Sequence, residues 1–213
     1  MTIKVKICGL RDEADIDTSI KYGADYIGLV FFTPSPRNIS IDRGKHLVRH
    51  IAGRAKVVAL TVDAQDKAIM QIVNEVQPDI FQLHGSESVE RIHRVSDLTG
   101  CDIIKVVKVR TSEDAKNAFV YKNAARYILF DAKPNSGSIL PGGNGKPFNW
   151  DALEKITLDT NYFLAGGLTP ENVGRAIQLT NAQIVDVSSG VEVSPGCKDP
   201  VLIRAFLKAA KGL

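Results

Sequence analysis

The stretch Tyr127-Ile128-Leu129-Phe130 places four apolar residues in a row, without alternation between apolar and polar side chains. Such a run is typical of a strand that is buried on both faces, as in a parallel sheet covered by helices. Asp131 and Ala132 follow directly, so the run ends in a side chain that can exchange a proton. The pattern predicts a buried strand with a carboxyl group at its end.

Runs of this kind alternate with amphipathic stretches along the whole chain. We predict strands near residues 3–7, 25–31, 56–62, 79–83, 102–108, 126–130, 161–165 and 183–187. Helices are predicted near residues 12–22, 42–52, 66–76, 87–95, 112–122, 150–156, 170–178 and 199–211. Repeated strand–helix units predict an α/β fold, a (β/α)8 TIM barrel that spans residues 1–213 as a single domain. A doubly wound open sheet is the alternative, but no strand is followed by G-x-G-x-x-G.

Local signals refine this picture at helix starts and in two loops. Asp63 is expected to cap the third helix and Ser86 the fourth, and Pro170 is expected to open the seventh. The segments 32–41 and 133–149 are unusually long for connections. Both follow strands, so they should emerge at the carboxyl end of the barrel, where barrel enzymes hold their active sites.

The composition excludes several classes of protein. The 213 residues are 44% hydrophobic and 24% charged, which is ordinary for a soluble globular protein. The net charge is only +3 and the basic residues are scattered, which argues against a nucleic-acid surface. Three cysteines without a CxxC pair predict a reducing compartment and neither a disulfide scaffold nor a zinc site. Without a membrane span or a leader, a cytoplasmic protein is expected.

Cys8 is the cysteine with the most informative position. It ends strand 1 and is followed by Gly9, which would let a ligand approach. Cys101 lies at the opposite end of the barrel, and Cys197 lies in a Pro-Gly turn. A free cysteine is often only a small buried apolar residue, and this alternative remains open for Cys8. A thiol that acts as a base must be partly ionised, which requires a pKa below the usual value of about 8.5.

Asp131 ends strand 6 at the same end of the barrel as Cys8. Its simplest role would be to cap the loop that follows. A carboxyl group that acts as an acid instead needs a pKa raised by burial or by a neighbouring negative charge. One acid and one base that face each other across a barrel mouth suit an isomerisation by proton transfer.

Two further side chains are candidates for substrate binding. Arg37 follows Pro34-Ser35-Pro36, whose two prolines stiffen the loop. It is either a solvated arginine or a clamp that forms two hydrogen bonds with a substrate carboxylate. His84 ends strand 4, where it could line the pocket or make a structural hydrogen bond.

The last two strands end in small residues that leave backbone N–H groups accessible. Barrel enzymes commonly bind phosphate at these two loops, helped by a helix N-terminus. The candidate phosphate-binding residues are Gly166, Gly167, Ser188, Ser189 and Gly190. Residues 142–145, Gly-Gly-Asn-Gly, are either a mobile cover with Gly143 at the substrate or a flexible loop.

Together these segments resemble the phosphoribosylanthranilate isomerase family of tryptophan biosynthesis over nearly the whole chain. The likeness rests on segments 5–9, 35–37, 82–85, 130–131, 142–143, 164–168 and 186–192, which read VKICG, SPR, QLHG, FD, GG, LAGGL and DVSSGVE. The resemblance implies a TIM barrel that performs an Amadori rearrangement of a phosphoribosyl anthranilate. Asp131 would protonate the ribose ring oxygen, and Cys8 would remove the C2 proton. Arg37 would hold the anthranilate carboxylate and the last two loops the phosphate.

The resemblance implies no metal and no organic cofactor. The expected partner is a phosphorylated small molecule, with no nucleic acid and no membrane, and the chain is expected to be a monomer or a homodimer. The family often has Gly-Gly-Thr-Gly and Phe-Asp-Trp where this chain has Asn144 and Asn149, and Asn149 can still cap the following helix. Three alternatives remain: a histidine-pathway isomerase of similar fold, an isomerase that accepts both precursors, and a non-catalytic sugar-phosphate binder.

Overall fold

Parallel strands close into a barrel in the part of the chain that the computed structural model describes, residues 2–134, 142, 148–154, 156, 158 and 162–212. The barrel strands are β1 (Lys4–Cys8), β2 (Tyr26–Val30), β3 (Lys56–Thr61), β4 (Ile80–Leu83), β5 (Asp102–Val109), β6 (Tyr127–Ala132), β7 (Phe163–Leu164) and β8 (Ile184–Val187). Each strand pairs with its neighbours in sequence, and β8 pairs with β1 to close the sheet. The predicted (β/α)8 barrel is confirmed.

The helices lie between the strands, and a small hairpin follows β8. The helices are α1 (Glu13–Lys21), α2 (Ile41–Ile51), α3 (Asp66–Glu75), α4 (Val89–Thr99), α5 (Ser112–Lys116), α6 (Ala118–Tyr121), α7 (Val173–Thr180) and α8 (Pro200–Lys211). Two 3₁₀ turns span Trp150–Leu153 and Ser189–Val191, and the hairpin consists of β9 (Glu192–Ser194) and β10 (Cys197–Lys198). None of the helices in the described segments is long and apolar enough to cross a membrane.

Three predicted helix starts are wrong, and two of these residues instead make contacts between loops. Asp63 adopts a left-handed conformation with φ of 47°, and its Oδ1 accepts a hydrogen bond from the Ser86 backbone at 2.7 Å. Asp63 and Ser86 therefore link the loops after β3 and β4. Ser88 caps α4 instead, by accepting a hydrogen bond from the Arg91 backbone. Helix α7 begins at Val173, three residues after Pro170.

Two other predicted elements are shorter than expected. The stretch 112–122 forms the two short helices α5 and α6, which meet at Asn117. The stretch 150–156 begins with a 3₁₀ turn, and Asn149 caps it as predicted by accepting a hydrogen bond from the Asp151 backbone. Neither difference changes the order of the strands around the barrel.

The interior of the barrel divides into two zones. The first, the apolar zone, is a cluster of buried residues, most of them in the first half or the middle of a strand: Tyr26, Val58, Ile80, Ile104, Val106, Leu129, Phe163, Ala165 and Ile184. The Phe163 ring meets the rings of Tyr26 and Tyr127 edge-on, with centroids 5.3 and 5.6 Å apart. The second, the polar zone, lies toward the carboxyl ends and contains Lys6, Cys8, Gln82, His84, Asp131 and Asp186, all of them buried.

A larger hydrophobic core fills the space between the outer face of the barrel and the surrounding helices. Val5, Ile7 and Val185 contribute to it from the strands, and Ile203 and Phe206 from α8. Because alternate residues on β1 point in opposite directions, Val5 and Ile7 face this core while Lys6 and Cys8 face the barrel interior. The barrel is thus covered on its outer face, and its polar residues are confined to one end of the interior.

Candidate active site

Cys8 is the last residue of β1 and is 4% exposed. The neighbouring strand β2 has Gly28 in register with it, and a side chain at Gly28 would lie 2.8 Å from the Cys8 Sγ. Burial raises the pKa of the Cys8 thiol, and Lys6 and Lys198 oppose this only in part. In the ligand-free protein this pKa is therefore raised rather than lowered, because the loss of hydration outweighs the nearby positive charges.

Lys6 lies beneath Cys8 on the same face of β1 and is fully buried. Its Nζ donates hydrogen bonds to Asp186 Oδ1 at 3.0 Å and to Gln82 Oε1 at 2.8 Å. Burial alone would lower the pKa of Lys6, but the Asp186 carboxylate and Cys8 outweigh it and raise the pKa. Lys6 thus places a positive charge next to the thiol.

Asp131 and His84 form the opposite side of the polar zone. Asp131 Oδ1 accepts a hydrogen bond from the Ala132 backbone at 2.8 Å, and Oδ2 lies 3.3 Å from His84 Nε2. On its other side, His84 Nδ1 lies 3.3 Å from Gln82 Nε2. One carboxylate oxygen of Asp131 therefore caps its own loop, as the simpler interpretation suggested, while the other faces the histidine.

Gln82 consequently bridges the two sides of the zone, because it contacts both Lys6 and His84.

Gly142 approaches from the long loop after β6. A side chain there would lie 2.5 Å from His84 Nε2 and 2.6 Å from Asp131 Oδ2. Only glycine fits so close to these two groups. Its neighbour Gly143, a predicted substrate-binding residue, lies outside the described residues.

Arg37 is buried, with only 6% of its surface exposed, so it is not the solvated arginine of the simpler interpretation. Its aliphatic chain crosses Gly9, where a side chain would meet the Arg37 Cδ at 2.6 Å. Gly9 thus makes room for Arg37 rather than directly for a ligand. The guanidinium donates from Nε and Nη2 to the two carboxylate oxygens of Glu192, both at 2.8 Å.

The loops after β7 and β8 are the candidate phosphate-binding region. Gly166 and Gly167 have φ values of 83° and 67°, which side chains rarely adopt. A side chain at Gly190 would collide with the carbonyl oxygen of Leu168, so this glycine lets the two loops pack against each other. Ser188 Oγ donates a hydrogen bond to the Cys8 carbonyl at 3.0 Å, which joins the second loop to β1. The 3₁₀ turn that begins at Ser189 follows directly.

Three residues near these loops were not identified as site residues from the sequence, namely Asp186, Glu192 and Lys198. Lys198 donates from Nζ to Glu192 Oε1 at 2.7 Å and to the Ser188 carbonyl at 2.9 Å. Asp186 holds Lys6, and burial raises its pKa although Lys6 opposes this. Asp186 lies two residues before Ser188, and side chains two apart on a strand share a face, so the sequence did contain a signal for it. No comparable pattern points to Glu192 or Lys198.

The arrangement combines a thiol, a carboxyl group, buried cations and glycine-rich loops at one end of a closed barrel. Such a set can bind an anionic substrate, protonate it on one side and remove a proton on the other. Cys8, His84, Asp131 and Ser188 all lie at this end, as predicted, and Arg37 reaches it over Gly9.

Comparisons with known proteins agree with this chemistry. A family model described as N-(5′-phosphoribosyl)anthranilate (PRA) isomerase matches residues 5–209. The N-(5′-phosphoribosyl)anthranilate isomerase of Bradyrhizobium diazoefficiens is 46% identical over 211 residues, which cover 99% of this chain and 95% of that protein. The crystal structure of phosphoribosyl anthranilate isomerase from Thermotoga maritima has a TM-score of 0.89 at 33% identity, covering 99% and 100% of the two chains.

A second similar crystal structure carries a ligand. It is a phosphoribosyl anthranilate isomerase in complex with reduced 1-(o-carboxyphenylamino)-1-deoxyribulose 5-phosphate. It has a TM-score of 0.84 at 32% identity, and the match covers 99% of this chain and 100% of that chain.

Proposed function

Because the chain belongs to the N-(5′-phosphoribosyl)anthranilate isomerase family, we propose that Cys8 and Asp131 are the two groups that move protons in that family's reaction. The enzyme catalyses the Amadori rearrangement of N-(5-phosphoribosyl)anthranilate to 1-(2-carboxyphenylamino)-1-deoxyribulose 5-phosphate in tryptophan biosynthesis. The observation that carries the proposal is that a buried thiol and a buried carboxyl group line the same end of the barrel interior.

Asp131 acts as the general acid. Its proton passes to the ribose ring oxygen, the bond between that oxygen and C1 breaks, and the nitrogen lone pair forms an iminium with C1. Oδ2 is the oxygen suited to this step, because Oδ1 is engaged by the Ala132 backbone. His84 lies 3.3 Å from Oδ2 and can orient it.

Cys8 acts as the general base. The thiolate removes the C2 proton, the electron pair of that C–H bond forms the C1–C2 double bond, and the π pair of the iminium returns to the nitrogen. The resulting enolamine tautomerises to the ketone. Lys6 and Lys198 favour the thiolate electrostatically, while burial disfavours it. The cationic iminium formed in the first step adds a further positive charge close to the thiolate, at the stage when the base is required.

Two anionic ends of the substrate need partners. Arg37 holds the anthranilate carboxylate by charge-assisted hydrogen bonds. The phosphate binds between Gly167 and Ser189, at backbone N–H groups of the loops that contain Gly166, Ser188 and Gly190. Lys198 adds positive charge next to Ser188. The complex of a similar isomerase with a phosphorylated product analogue supports a ligand of this kind.

A growth experiment tests the assignment of the two groups. Cells that lack this isomerase are transformed with the wild-type chain, with Cys8→Ser or with Asp131→Asn, and grown without tryptophan. We expect growth with the wild type only. Growth with either variant at the wild-type rate, at matched protein level, would contradict the assignment. Failure of the folded wild-type chain to support growth would contradict the activity itself.

The quaternary structure and the cellular location remain predictions, namely a monomer or homodimer in the cytoplasm. Analytical ultracentrifugation of the purified chain tests the first. Fractionation of cells tests the second.

A further inference from the structure

Glu192 lies between two cations at the edge of the active site. It accepts two hydrogen bonds from Arg37 and one from Lys198, all between 2.7 and 2.8 Å. The side chains of Arg37, Glu192 and Lys198 are only 7%, 3% and 1% exposed. Even paired charges contribute little or nothing to stability when they are buried, because the cost of desolvation offsets their attraction, so the cluster requires a reason beyond stability.

The guanidinium of Arg37 is held by one edge. Its five N–H donors lie in one plane in a fixed pattern. Glu192 takes the edge formed by Nε and Nη2. Among the residues that the structure describes, none accepts a hydrogen bond from Nη1. The remaining donors are those on Nη1 and the second hydrogen of Nη2. They form the end of the guanidinium that points away from Glu192.

The charges of the cluster do not cancel. Burial lowers the pKa of Lys198, and Glu192 opposes this only in part. With Lys198 protonated, Arg37 and Lys198 carry one positive charge each and Glu192 carries one negative charge, which leaves one positive charge. Burial raises the pKa of Glu192, but Arg37 and Lys198 outweigh it, so the pKa is lowered and the carboxyl group is ionised. A carboxylate from the substrate would neutralise the excess charge.

We propose that Glu192, itself held by Lys198, is a positioning residue that orients Arg37 so that the Nη1 end meets the anthranilate carboxylate. This inference rests on the proposed role of Arg37 in binding that carboxylate. It assigns Glu192 and the β9–β10 hairpin a part in recognising the aromatic acid, while Cys8 and Asp131 perform the chemistry.

A second pair in the same molecule provides a matched control. Arg43 donates from Nη1 and Nη2 to the two carboxylate oxygens of Glu13, so this arginine is also bound by two hydrogen bonds to a glutamate. That pair lies on α1 and α2, with both side chains about one third exposed. Glu13→Gln therefore removes a similar interaction that lies outside the site.

The test uses two competitive inhibitors that differ in one group. The first is reduced 1-(o-carboxyphenylamino)-1-deoxyribulose 5-phosphate, and the second is the same compound without the carboxyl group. Inhibition constants are measured for the wild type, Arg37→Ala, Glu192→Gln and Glu13→Gln. We expect Glu192→Gln to weaken the first inhibitor by about tenfold or more, the scale of one charged hydrogen bond, and the second by about twofold at most.

Glu192→Gln should weaken the carboxylated inhibitor because the amide of the glutamine would present N–H groups to the N–H groups of Arg37. For the substrate, KM should rise by a similar factor, while kcat changes by about twofold or less. Glu13→Gln should change neither inhibitor. If Glu192 only neutralised charge, its removal would tighten the binding of the carboxylated inhibitor, which would overturn the proposal. Equal weakening of both inhibitors would also overturn it.

Arg37→Ala distinguishes the proposed role of Glu192 from the proposed role of Arg37. If Arg37→Ala abolishes the preference for the carboxylated inhibitor and Glu192→Gln preserves it, the role of Glu192 fails while that of Arg37 stands. If Arg37→Ala preserves the preference, the proposed role of Arg37 itself fails. Should Glu192→Gln not fold, Glu192→Asp keeps the charge and shortens the side chain. We then expect a partial loss of the preference, and an unchanged preference would overturn the proposal.

Discussion

The apolar zone and the polar zone lie inside the same barrel but contain opposite chemistry. In the apolar zone, side chains such as Ile104 and Phe163 are buried against one another without polar groups to satisfy. In the polar zone, Lys6 and Asp186 are also buried but form an ion pair. Burial of apolar surface stabilises a fold directly, whereas a buried ion pair contributes little or nothing after the cost of desolvation. The comparison indicates that stability resides in the first zone and function in the second.

The largest effect is expected where the polar zone performs its chemistry. Cys8→Ser replaces the thiol by a hydroxyl group that is much harder to ionise, and Asp131→Asn removes the acidic proton while keeping the shape. Each should lower kcat by about 10²-fold to 10⁴-fold, the range for general acid–base catalysis. The free energy of unfolding, measured with urea, should remain within about 1 kcal/mol of the wild type. A variant that loses activity only because it unfolds would contradict the separation of the two zones.

The next effect concerns the buried ion pair of Lys6 and Asp186. Lys6→Met leaves the Asp186 carboxyl group buried without its partner, which should cost about 3–5 kcal/mol of stability. The double variant Lys6→Met/Asp186→Val removes both charges and should recover most of that loss. Its kcat should stay low, because the thiolate of Cys8 has lost the adjacent cation.

Urea unfolding and steady-state kinetics of the single and double variants measure the two quantities separately. If the double variant is no more stable than Lys6→Met, the pair itself contributes to stability, and the polar zone is not maintained for function alone. All other residues are unchanged in both variants, so the comparison isolates the Lys6–Asp186 pair.

A cavity in the apolar zone should lower the stability of the fold and leave kcat almost unchanged. Ile104 is a fully buried residue of β5 in this zone, and Ile104→Ala removes its packing. Such truncations cost about 2–5 kcal/mol. At a temperature where the variant remains folded, kcat should lie within about twofold of the wild type. A loss of kcat comparable to that of Asp131→Asn would show that the two zones are coupled.

The barrel could be predicted because its signal is repeated along the chain. Strands buried on both faces need uninterrupted apolar runs, and Tyr127–Phe130 is one of several. The helix starts were less predictable, because Asp63 and Ser86 bond to each other across loops that are 23 positions apart. A local capping signal cannot reveal that competition, since it depends on how β3 and β4 pack side by side.

The site was predictable at the ends of strands and not beyond them. Cys8 and Asp131 follow apolar runs, so their position at the barrel mouth follows from the fold. The alternation of side chains on β1 also places Lys6 on the same face as Cys8. Glu192 meets Arg37 across 155 positions of sequence. That contact depends on the conformation of the β9–β10 hairpin, for which the sequence offers no periodic pattern.

The smallest expected effect is a pH dependence of stability that belongs to Cys8. Burial raises the pKa of this thiol, and Asp186 adds to the shift, while Lys6 and Lys198 oppose it. In the unfolded chain, the thiol ionises near its usual pKa of about 8.5. Above that pH the unfolded state loses the proton while the folded state keeps it, so the free energy of unfolding falls as pH rises, until the pH passes the folded-state pKa.

The slope from one such group is at most about 1.4 kcal/mol per pH unit. Below pH 8 the contribution is complete and constant, because the thiol is protonated in both states. Urea unfolding of the wild type and of Cys8→Ser at pH 7.5, 8.5 and 9.5 measures the difference, and groups common to both proteins, such as Cys101, cancel in it. We expect the wild type to lose stability relative to Cys8→Ser above pH 8.5. A wild type that instead gained relative stability would show that Lys6 and Lys198 outweigh burial and that Cys8 is already a thiolate in the folded enzyme.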